Sequence, residues 1–139
     1  MINNLFRAIT LFSSRLAIWF TLLLFFVSSN VFATDYTITV TAAGNSNYIF
    51  NSSGLQFTDS NDPDISVNVG DKLIFDATSN TLASHPFAIV SQLNSSNGYS
   101  SSNEVSGVTN NGENGVLITW DLTGVTPGEY FYVCVNHPG

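Results

Sequence analysis

Tyr36-Thr-Ile-Thr-Val-Thr41 decides the class of fold. Apolar and hydroxyl side chains alternate through it, with Tyr36, Ile38 and Val40 on one face and Thr37, Thr39 and Thr41 on the other. A period of two describes a strand with one face in a core and the other in water; a helix needs apolar residues three and four apart. Further along, Ile65, Val67 and Val69 repeat the alternation, and Gly70-Asp71 turns the chain into Lys72-Leu-Ile-Phe75. Phe87-Ala-Ile-Val90 is a short apolar run. Val116-Leu-Ile-Thr-Trp120 and Tyr130-Phe-Tyr-Val-Cys-Val135 are the strongest late strands, with Pro127-Gly128 predicted as a tight turn between them. Ser/Asn/Gly-rich Asn94–Asn103 reads as a surface loop. Helical periodicity is absent after residue 33. Short strands of this number in about a hundred residues predict an all-β fold, an antiparallel β-sandwich with Greek-key connections.

The first 33 residues read as an address. Arg7 and Arg15 supply a positive start, Leu16–Val27 is nearly all apolar, and Val31-Phe32-Ala33 puts small residues at the −3 and −1 positions of a cleavage site. That layout predicts a secretory signal peptide over 1–33, cleaved after Ala33. Its apolar run spans only about 18 Å as a helix, short of a bilayer's hydrocarbon core, so no membrane attachment is expected after cleavage. Residues 34–139 then form one domain in a secreted or periplasmic compartment.

Charge narrows the partners. Past residue 33 the only Lys or Arg is Lys72, against all ten carboxylates, which leaves −9 with His neutral. Such a surface repels phosphate backbones and excludes nucleic-acid binding as an expectation. It would attract a basic protein.

Chemistry-bearing residues are few. The chain has two His and one Cys: His85 in Ala83-Ser-His-Pro-Phe87, Cys134 at the end of the last strand, and His137 in Cys134-Val-Asn-His137. One cysteine excludes an internal disulfide, a Cys-rich zinc site and a two-cysteine copper centre. A thiolate with two imidazoles is the donor set of a trigonal copper site: sulfur suits Cu(I), and imidazole binds both Cu(I) and Cu(II). A buried structural cysteine beside solvated histidines is the bland alternative. Asp59-Ser-Asn-Asp-Pro-Asp64 clusters oxygen ligands but lacks the Gly and distant Glu of a calcium loop, so it reads as an acidic turn. Asn51-Ser-Ser and Asn94-Ser-Ser match the N-glycosylation pattern, and no nucleophile-elbow motif is present.

Along most of residues 34–139 the chain resembles the cupredoxin family, the type 1 (blue) copper domains of the plastocyanin, amicyanin and azurin kind. Asp62–Phe75 looks like the family's early strands, Ser84-His-Pro-Phe87 like the segment of the first His ligand, and Val125–Gly139 like the last strand and ligand loop. The resemblance implies that His85, Cys134 and His137 are the equatorial ligands of one copper ion cycling between Cu(I) and Cu(II). It implies electron transfer between redox partner proteins, a basic cytochrome among them, by a monomer that is not a substrate-converting enzyme. A metal-free structural or surface-interaction sandwich, or a copper-binding module of a larger protein, are the other readings. The spacing after Cys134 is nearest the amicyanin-like loop, where an axial Met follows the second His and a final strand follows the Met. Pro138 and Gly139 stand there instead, so the expectation is a sandwich lacking its final strand. Two further departures stand out. Pro86 replaces an Asn whose N–H would reach the sulfur, and Val133 stands where an aromatic often precedes the Cys.

Overall fold

A computed structural model describes residues 32–95 and 98–137. The predicted signal segment falls outside them up to Val31. Eight strands form in chain order: β1 (Asp35–Ala43), β2 (Asn47–Ser52), β3 (Phe57–Asn61), β4 (Lys72–Asp76), β5 (Phe87–Val90), β6 (Val108–Thr109), β7 (Leu117–Asp121) and β8 (Phe131–Cys134). Among the described residues the only helices are two single 3₁₀ turns, Asn80–Leu82 and Ser101–Asn103. The described residues are all-β, as the alternation predicts.

Six strands make one sheet in the order β3-β2-β1-β4-β7-β6, and β5 and β8 make a second. The large sheet is mixed. β1 and β4 run parallel, which corrects the expectation of a wholly antiparallel fold; the remaining pairs are antiparallel. Register follows the apolar faces. Ile38 lies beside Phe75 and Phe75 beside Ile118, while Tyr36, Leu73 and Trp120 make the next row and Val40 pairs with Phe50. A slip of one residue would send each of these side chains to water.

The inner faces of both sheets share one core. Ile38, Val40, Phe50, Phe87, Val90 and Ile118 are fully buried. Phe87 of the small sheet meets Phe75 at 4.8 Å, Phe50 at 6.0 Å and Tyr132 at 5.7 Å between ring centroids. All four residues of β5 are buried. The Asn111 side chain acts as a neighbouring strand for it, accepting from the Ile89 N–H at 2.7 Å and donating to the Ile89 carbonyl at 2.9 Å.

Two local expectations are corrected. Ile65–Val69 keeps its alternation, with Ile65 and Val67 packed on the core, yet no strand forms over it. Alternation specifies a buried face, whereas a strand also needs a hydrogen-bonded neighbour. Pro127-Gly128 does not close a hairpin: β7 belongs to the large sheet and β8 to the small one, so those two bends lie within a crossover between sheets.

Candidate metal centre

His85 is placed by the connection between the sheets. The Ser79 hydroxyl accepts the Thr81 N–H at 3.3 Å and starts the 3₁₀ turn, and the His85 N–H closes onto the Leu82 carbonyl at 2.9 Å. Asn114 Nδ2 donates to the Ala83 carbonyl at 3.0 Å. From beneath, the Tyr48 hydroxyl donates to the carbonyls of His85 at 3.1 Å and Pro86 at 3.2 Å. Burial first, then the neighbouring Cys134, pushes the Tyr48 phenol far above its usual range, so it stays a donor.

Cys134 ends β8 opposite Phe87 and is 4% exposed. The next residue, Val135, donates its N–H to the Pro86 carbonyl at 3.0 Å, and Asn136 Nδ2 reaches the Ser84 carbonyl at 3.0 Å. These two bonds tie the segment after Cys134 to the segment around His85. His137 lies three residues past Cys134 and is half-buried, like His85.

The three sequence-predicted ligands converge. Their donor atoms all lie within 4.8 Å of one another. Cys134 Sγ is 4.0 Å from His85 Nδ1 and 3.8 Å from His137 Nε2, and the two imidazole nitrogens are 2.7 Å apart. A trigonal ion bonded to sulfur at about 2.3 Å and to nitrogen at about 2.05 Å spaces its S–N edges about 3.8 Å and its N–N edge about 3.5 Å. Both sulfur edges match that triangle. The imidazoles are closer, in the range of a direct ring-to-ring hydrogen bond, and must part by about 0.8 Å to admit an ion. The donor set and the two sulfur edges fit a soft, thiolate-binding transition metal.

Pro86 and Val133, the two departures from the pattern the sequence resembles, have structural content. Pro86 is buried and its carbonyl takes two donors, but its ring nitrogen has no hydrogen to give the sulfur. Val133 is half-buried near Gly98. Tyr132 shares the inner face with Cys134, stacks on Phe87, and donates its hydroxyl to the Pro63 carbonyl at 3.1 Å. It is a packing residue beneath the site. The acidic turn expected over Asp59–Asp64 is corrected in its first half: Asp59 lies in β3 and bonds with Asn51 of β2, and Asp62, just past the strand, accepts the Tyr48 N–H at 2.8 Å.

Sequence reasoning missed Tyr48 and Asn136. A tyrosine at a core position needs a partner for its hydroxyl, and an Asn in a tight loop commonly bonds to nearby backbone. Both signals name a residue type without naming its partner. Comparison with known proteins found no family model, no curated sequence and no solved structure that matches the chain.

Proposed function

We propose that this chain is a secreted or periplasmic carrier of single electrons, a Greek-key sandwich of cupredoxin type with one copper ion held by His85, Cys134 and His137. One observation carries the reading: both His and the only Cys of the chain, 49 and 52 residues apart across the two loops, bring their donor atoms within 4.8 Å. A buried structural cysteine has no need of two imidazoles at its sulfur.

Copper bound there would supply one-electron chemistry between Cu(I) and Cu(II). The chain's own residues do the rest. Cys134 presents its sulfur from the end of a strand, and the Tyr48, Val135 and Asn136 hydrogen bonds hold both ligand segments in place. Ligands fixed in this way need little rearrangement as the ion's charge changes. A groove of about 1180 Å³ runs beside β8, lined by Ile65, Val67, Trp120 and Tyr132 and reaching the ligand end. The −9 charge of residues 34–139 favours a basic redox partner, whose electron-transfer rate should fall as salt rises.

The test is an absorption spectrum of the exported protein during Cu(II) addition. An intense visible band from thiolate-to-copper charge transfer is expected. Cys134→Ser should abolish it, and His85→Ala should weaken or shift it. A colourless protein that loses its copper on dialysis refutes the reading.

A further inference from the structure

We infer that cleavage after Ala33 creates a structural group: the new α-ammonium of Thr34 seats on the buried carboxylate of Asp71 and fastens the start of β1. The inference rests on the export reading and is independent of copper.

Asp71 is 1% exposed, the one carboxylate in the core. Its Oδ1 accepts the Thr34 N–H at 2.9 Å and its Oδ2 accepts the Asn68 N–H at 2.8 Å. No cation pairs with it among the described residues. Lys72 is the only lysine, and its ammonium lies 3.9 Å from Asp35. A carboxylate taken out of water and met only by neutral amides is poorly compensated. The missing element is a positive charge, and Thr34 N is already in place to carry it.

Thr34 is held from both sides. Its carbonyl accepts the Lys72 N–H at 2.9 Å, extending the β1–β4 pairing by one bond, so its position is fixed against the residue that follows Asp71. Immediately upstream the chain leaves the sheet: Ala33 is exposed, and Phe32 is 83% exposed, a large apolar ring in water. The sheet therefore begins where the small-residue cleavage pattern ends.

Hydrolysis by an endopeptidase of small-residue specificity breaks the Ala33 C–N Thr34 bond and consumes one water. The hydroxyl joins the Ala33 carbonyl carbon, which leaves as a carboxylate on the released segment. The nitrogen stays on Thr34 as an ammonium, since free α-amino groups titrate at about 7.7–8.0. One N–H keeps its place on Asp71 Oδ1, and the bond, until then charged only at its acceptor, gains a charged donor. Thr34 is exposed, so the other two hydrogens reach water and the ammonium is not stranded. A cut one residue earlier leaves an amide at Thr34. A cut one residue later moves the charge about 3.3 Å along the strand.

The experiment exports the full 139-residue chain and reads the first residue of the product by intact mass. Thr34 is expected. The product, carrying Lys72→Arg so that its α-amine is the only amine, is then acetylated and compared with the free form in urea. Acetylation should shift the folding equilibrium about tenfold toward the unfolded state. In Asp71→Asn the same acetylation should shift it less than about twofold. If Asp71→Asn does not fold, a product that retains Ala33 replaces it: its ammonium sits one residue away, and acetylation should change nothing. A different first residue overturns both the processing site and the seat. A Thr34 product indifferent to acetylation, or equally sensitive in the control, overturns the seat alone.

Discussion

Tyr48→Phe removes one oxygen and tests whether the ligand segment is held from below. The residue is 7% exposed, and its hydroxyl is shared between the carbonyls of His85 and Pro86 at 3.1 and 3.2 Å. Phenylalanine keeps the ring contacts, Phe87 at 5.3 Å and Tyr132 at 6.3 Å, so the change isolates the hydrogen bond. The Pro86 carbonyl retains the Val135 N–H, while the His85 carbonyl loses its donor. One shared bond plus one acceptor stripped of its partner amounts to about 2 kcal/mol. For a domain of about a hundred residues that lowers Tm by about 9 °C. Thermal melts of the metal-free protein read the stability, and urea melts should show a lower midpoint with an unchanged slope. Copper affinity should fall about tenfold, because a group orienting a ligand is lost. Tyr132→Phe is the control. It deletes a comparable bond, to Pro63, away from the ligands, and should cost stability without changing the spectrum or the affinity. The reasoning is refuted if Tyr48→Phe melts within about 2 °C of the parent, or if both variants change copper binding equally.

Other outcomes follow from the same geometry. Asn136→Ala deletes the 3.0 Å tie to Ser84; it should cost about 1 kcal/mol or less and speed copper release several-fold, measured by transfer to a chelator, and an unchanged rate would show that Val135 alone joins the loops. Gly112 has φ +76°, and a Cβ there would lie 3.3 Å from Val135 Cγ2, so Gly112→Ala should lose about 1–2 kcal/mol from backbone strain alone and disturb the visible band; an intact melt and band would refute the contact. Burial first, then Asp62 and Asp64, raises Tyr132, and its hydrogen bond to Glu104 first, then burial, raises Tyr99 to about 12. Folded values above the unfolded one mean that their contribution is complete below about pH 10 and is lost as pH rises toward 12 and beyond. Urea midpoints flat between pH 8 and 11.5 would contradict this.

Five of the eight strands were legible because their own residues carry the signal. β1, β4 and β7 alternate, and β5 and β8 are apolar runs. β2, β3 and the two-residue β6 were not read. β2 is Asn-Tyr-Ile-Phe-Asn-Ser, whose inward residues Tyr48, Phe50 and Ser52 end on a buried hydroxyl that donates to the Thr37 carbonyl at 2.7 Å. β3, Phe-Thr-Asp-Ser-Asn, has a single apolar residue and is an edge strand formed by pairing with β2. Ile65–Val69 shows the converse case, a pattern with no partner. The parallel β1–β4 pairing joins segments more than thirty residues apart, a separation that local periodicity does not encode. All three candidate ligands were named from the sequence, since so few residues could serve. What the sequence withheld was the set of uncharged side chains that fix them.

That set explains how a site built on two loops can be as exact as one built on strands. Phe87 and Cys134 are register partners in the small sheet, and His85 and His137 lie two and three residues beyond that rung on opposite strands. Phe87 is fully buried among Phe50, Phe75, Tyr48 and Tyr132. The pair that anchors the small sheet in the core therefore also sets where both ligand segments begin. Pro86 then extends the ladder by accepting from Val135, and Asn136 closes the gap to Ser84. The short His85–His137 separation is the one edge of the triangle that must change for an ion to enter. Ring rotation about side-chain torsions can supply that change, while moving Cys134 would require repacking close-packed aromatics.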